Sequence, residues 1–74
     1  MTILNNTAEE LCILDTIVKP EENYSFTDMF FGHFDVHSEI GSCIVKLQFG
    51  EPIIRNFGSI YAESVERKII INKI

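Results

Sequence analysis

His33-x-x-x-His37, with Asp35, Glu39 and Cys43 close by, is the one group in this 74-residue chain whose residue types suit a metal ion. Imidazole, thiolate and carboxylate all bind zinc, and a helix brings residues four apart to one side. Asp35-Val36-His37 reads as a turn, however, and no second pair of ligands occurs elsewhere, so no metal site is expected. A cysteine paired with a histidine for nucleophilic catalysis needs a third, orienting group and a pocket. A domain this small rarely builds both. Gly32, Gly41, Gly50 and Gly58 stand eight or nine residues apart, which is not the clustering of a phosphate-binding loop. No enzyme activity and no cofactor are expected.

Cys12 and Cys43 are too few for a disulfide scaffold and lack the Cys-x-x-Cys spacing of redox and zinc sites. Both sit among apolar neighbours and read as reduced core thiols. No segment reaches the eighteen or so apolar residues of a membrane helix. The start, Met1-Thr-Ile-Leu-Asn-Asn6, has neither the basic nor the apolar region of a secretory signal. A cytoplasmic protein without membrane contact is the expectation.

Charge is divided unevenly. Residues 1–39 carry eight acids and one base, Lys19; residues 40–74 carry three acids and five bases (Lys46, Arg55, Arg67, Lys68, Lys73), for a net charge of −5. Such asymmetry bears on partners, not on fold. The length allows one domain spanning 1–74, which buries only about 60% of its unfolded surface. With 46% hydrophobic residues, the chain can still fill a core.

Thr7-Ala-Glu-Glu10 has the capping-box pattern, and Ala8, Leu11, Leu14 and Val18 follow at spacings of three and four. These predict a helix over 7–18, stopped by Pro20. Tyr24-Ser-Phe26 is short enough to lie extended. Thr27, or Ser25 with Asp28, can cap a second short helix through Met29, Phe30 and Phe31, ending at Gly32. From Ser38, Ile40, Cys43, Ile44 and Leu47 form a helical core stripe ending near Gly50. The same residues also fit a strand: Cys43, Val45, Leu47 and Phe49 alternate with Lys46 and Gln48. Pro52 to Phe57 reads as extended. Ser59–Glu63 and Arg67–Ile74 predict two strands joined by a tight turn at 64–66.

The order of these elements resembles a winged helix. Phe34-Asp-Val36-His-Ser38 resembles the turn between the two helices of many helix-turn-helix regulators, with Ile40, Ile44 and Leu47 at inward positions of the recognition helix. Leu47-Gln-Phe-Gly50-Glu-Pro-Ile53-Ile-Arg55 resembles the passage into the wing. The resemblance implies an α+β fold of three helices plus a C-terminal β-hairpin wing. The alternative is one N-terminal helix followed by a β-meander with turns near Gly41, Gly50 and Gly58.

Two functions follow as expectations. The first is a DNA-binding transcriptional regulator. Ser38, Ser42 and Lys46 lie on the outward helix face, and Arg55, Arg67 and Lys68 of the wing region meet phosphates. Specific binders make about six to ten phosphate contacts, so this thin supply requires a homodimer. The second is an acidic protein-binding module, an inhibitor or adaptor of the kind a phage or mobile element encodes. It touches no DNA and contacts a basic partner surface through Val45, Phe49, Glu21, Glu22 and the other acids of the first half.

Overall fold

The computed structural model describes residues 1–26, 32–48 and 51–74, with the backbone alone for Gln48 and residues 51–57. These residues form nine strands: β1 (Thr2–Asn6), β2 (Leu11–Ile13), β3 (Thr16–Val18), β4 (Asn23–Ser25), β5 (Gly32–Ser38), β6 (Gly41–Gln48), β7 (Glu51–Gly58), β8 (Ile60–Val65) and β9 (Lys68–Lys73). No helix occurs among the described residues. Burial follows a period of two. Phe34 and Val36 of β5 are buried while His33, Asp35 and His37 are exposed; Cys43 and Val45 of β6 are buried while Lys46 is exposed. Successive side chains of an extended strand point to opposite faces, which produces this pattern.

Both fold expectations are therefore overturned. The winged helix-turn-helix lacks its helices, and the meander alternative loses its N-terminal helix. Residues 7–18 form a bend and the β2–β3 hairpin. Thr7 does use its hydroxyl on a backbone amide, but on that of Glu9, two residues on, at 3.2 Å. It closes a local turn, whereas the capping box would take the amide of Glu10, one residue further. Ile13, Thr16, Ile17 and Val18 are β-branched and suit a pleated surface. A lone helix of about a dozen residues is marginal without strong packing. The recognition helix expected over 38–49 is replaced by β6, where the period-two reading of the same residues holds. The second short helix falls on residues 27–31, which lie outside the described residues. The C-terminal hairpin is present as β8 and β9, paired from Ile60↔Lys73 to Val65↔Lys68.

The strands form two sheets. Sheet A has the order β4-β1-β9-β8, with β1 and β9 parallel, and sheet B is the antiparallel array β3-β2-β5-β6-β7. Inward residues of both sheets (Ile3, Ile60, Ala62, Ile69 and Ile71 from A; Leu11, Ile13, Val18, Phe34, Val36, Cys43 and Val45 from B) form one core cluster. The edge strands of the two sheets are chain neighbours on both sides, since β3 leads into β4 and β7 into β8. At the second corner Gly41 and Gly58 are register partners with φ of 149° and 80°. A Cβ on Gly41 would stand 2.5 Å from the Ser59 nitrogen, so the backbones approach too closely for any side chain there.

Three polar residues are buried among the described residues, Asn5, Thr7 and Asn72. Asn5 is fully buried. Its Nδ2 donates to the carbonyls of Glu9 (2.7 Å) and Val18 (2.9 Å), and its Oδ1 accepts from the amide (3.0 Å) and hydroxyl (2.6 Å) of Thr7. Its own amide donates to Glu22 O, and its carbonyl accepts from Glu21 N. All of its hydrogen-bonding groups are used, and they tie β1 to the 7–10 bend, the end of β3 and the 19–22 turn.

Two substitutions test this reading. Asn5→Leu leaves the buried Thr7 amide unpaired, at about 1–3 kcal/mol, and removes a further bond from each of the carbonyls of Val18 and Glu9, against a total stability of roughly 4–11 kcal/mol for 74 residues. A loss of about 3 kcal/mol or more is expected in urea unfolding. The two-residue loops Leu14-Asp15 and Glu66-Arg67 place non-glycine residues at positive φ (48° and 61°, 49° and 66°). Hairpin turns of this kind favour Asn-Gly. Replacing Glu66-Arg67 by Asn-Gly should raise stability by about 1 kcal/mol in the same assay.

Candidate binding surface

The outer face of sheet B collects the side chains with chemistry. Register pairs Ile17 with Cys12, Cys12 with His37, and His37 with Ser42, which sets these four in one row across β3, β2, β5 and β6. Asp35 beside Ile44 and His33 beside Lys46 form the next two rows. Residues directly opposite on paired strands share a face, so these neighbours follow from the register alone. Glu9 and Glu10 precede β2, and Glu39 lies in the β5–β6 turn, where Ser38 Oγ accepts from the Ile40 amide at 3.2 Å. A shallow groove of about 490 Å³ runs between Glu9, Glu10 and Glu39, over Cys12, Ile17, His37 and Ser38. Ile17 is 52% exposed.

Sheet A carries a different network on its outer side. Asn6 Nδ2 donates to Asn72 Oδ1 at 2.7 Å, and Asn72 Nδ2 donates to Glu63 Oε1 at 2.8 Å. This chain of amides pins β1, β9 and β8 together. Only the tertiary pairing of the two ends of the sequence creates it, so nothing local announced it.

The expected site residues separate. Ser42 and Lys46 lie on sheet B, half-buried and exposed, and Ser38 ends β5. Arg67 occupies the β8–β9 turn and Lys68 begins β9, both on sheet A. The side chain of Arg55 and the whole of Phe49 lie outside the described residues. Val45, expected on an outward helix face, is fully buried between the sheets because β6 turns its odd residues inward. Glu21 and Glu22 are exposed and half-buried, and the visible work of both is done by their backbones on Asn5. A recognition helix is what enters the major groove in the helix-turn-helix scheme. No helix occurs among the described residues, so the helix-turn-helix route to DNA is not supported.

His33, Asp35 and His37 share one face of β5, but an extended strand spaces alternate residues by roughly 6.6 Å, where a helix would gather them. Among the described residues no group of three or more His, Cys, Asp or Glu side chains converges as a metal site. No helix among the described residues is long and apolar enough to cross a membrane. Comparison with protein-family models, with curated proteins and with solved structures finds no match.

The two cysteines are free and differ in setting. Cys12 is half-buried beside His37, whereas Cys43 faces the core. Burial pushes the Cys43 thiol from 9.0 up to about 11, and the negative charge of Asp35 adds to the rise. The folded chain thus keeps its proton where the unfolded chain has lost it. The contribution is fully present below pH 9 and disappears as pH rises towards 11. The urea midpoint of the wild type should therefore fall more steeply over that range than that of Cys43→Ala. In native protein a thiol reagent should label Cys12 first, since the thiolate is the reactive form.

Proposed function

We propose that this chain is a small acidic protein-binding module whose contact surface is the outer face of sheet B. The observation that carries the reading is the composition of that face. Glu9, Glu10 and Glu39 are exposed around an exposed isoleucine, Asp35 is exposed one row further on, and Lys46 is the one exposed cation among the described residues of β2, β3, β5 and β6. Negative charge surrounding an apolar spot suits a basic protein surface and repels the phosphates of nucleic acid. Among the described side chains the remaining exposed bases, Lys19, Arg67 and Lys73, lie in the β3–β4 turn, the β8–β9 turn and the end of β9. They do not form a track for a phosphate backbone. A cytosolic setting fits the two free thiols.

Fluorescence anisotropy and a peptide array test the reading together. A mixed-sequence DNA duplex should show no binding at about 50 mM salt, and array signal should rise with peptide net positive charge and fall at about 200 mM salt. DNA binding with a steep salt dependence, or an array signal indifferent to charge, would contradict it.

A further inference from the structure

We infer that the groove on sheet B seats an arginine of a partner protein, with the aliphatic stem on Ile17 and Cys12 and the guanidinium on the surrounding carboxylates. The inference rests on the acidic-module reading and assigns its contact point. One end of the floor is apolar and open: Ile17 is 52% exposed on an edge strand, and Cys12 stands next to it in register, with His37 and Ser38 completing the floor. The rim is Glu9, Glu10 and Glu39, and no described residue engages their carboxylates by hydrogen bond or ion pair. Arginine matches both parts. Its three-carbon stem covers apolar surface while its head stays at the rim. Its planar fork bonds carboxylates through two parallel contacts and is more weakly hydrated than an ammonium. A metal ion fits less well, because the donors do not converge. An anionic lipid or nucleic acid meets three like charges. A second copy of this chain offers Arg67 with the 43% exposed Val65 at the β8–β9 turn, so self-association is the rival occupant.

The test is a nuclear magnetic resonance titration of the full chain with a synthetic peptide alternating arginine and valine, alongside a glutamate-for-arginine control peptide. Amide shifts should concentrate at residues 9–12, 17 and 37–39, and the control peptide should leave them unmoved. Glu10→Gln with Glu39→Gln should weaken binding about tenfold and Ile17→Ser about threefold. Asp15→Asn with Glu66→Gln removes the same charge outside the groove and should change affinity less than about twofold. If the two double variants weaken binding equally, or the shifts lie elsewhere, the groove assignment fails while the acidic-module reading stands. If the arginine peptide does not bind even at about 50 mM salt, both fail. Concentration-dependent self-association in sedimentation, abolished by Arg67→Glu, would overturn the partner assignment in favour of a second copy.

Discussion

A single buried amide holds the two sheets in their relation. Asn5 lies at the end of β1 with no solvent exposure, and each of its polar atoms is bonded. Leucine of similar size would leave the buried amide of Thr7 without its partner and take one bond from each of the carbonyls of Val18 and Glu9, the latter keeping the Thr7 hydroxyl at 3.1 Å. Aspartate would lose both donated bonds and turn a negative oxygen towards two carbonyl oxygens. Only a side chain with two donors and an acceptor in one plane meets the requirement. In a chain this short, where apolar burial leaves a thin margin, such a fully satisfied network favours one arrangement over others of similar burial.

The same constraint reaches the surface. Asn5 grips the carbonyl of Glu9, and Thr7 takes the Glu9 amide, so both backbone groups of that residue are fixed from below. The bend over 7–10 is held in place, and with it one rim of the groove beside Cys12 and Ile17. Core polarity and the outer acidic face are thereby linked. The clamp that sets the approach of β2 also sets where two of the three rim carboxylates begin. The opposite rim, Glu39, depends on the β5–β6 turn and on the close passage of Gly41 past Ser59.

Part of this was legible in the sequence. The isoleucine-rich C-terminal hairpin and the extended Pro52–Phe57 segment are present as β8–β9 and within β7, and the strand reading of Cys43, Val45 and Leu47 rests on an alternation that survives in the fold. The N-terminal third was not legible, for two physical reasons. A threonine followed by acids serves a two-residue turn as well as a helix cap, and Leu11, Leu14 and Val18 satisfy the helical spacing by coincidence. Leu14 in fact lies in a turn and is partly exposed. Leu14-Asp15 also carries no glycine or asparagine to mark a hairpin, although its backbone adopts the left-handed conformation those residues favour. The candidate surface suffered accordingly. Cys12 and His37 are 25 residues apart and become neighbours only through the pairing of β2 with β5, whereas Lys46 was placed on the outside under either reading of its segment.

The most direct single measurement is the pattern of nuclear Overhauser contacts between backbone protons of residues 7–18 and 35–38. Cross-strand contacts linking Leu11 with Val18 and Cys12 with His37 are the result this account predicts, since that register builds both the core of sheet B and the row of side chains beneath the groove. Contacts between residues three apart throughout 7–18, with none to β5, would mean a helix there. The clamp on Asn5, the groove and the proposed surface would then fall together.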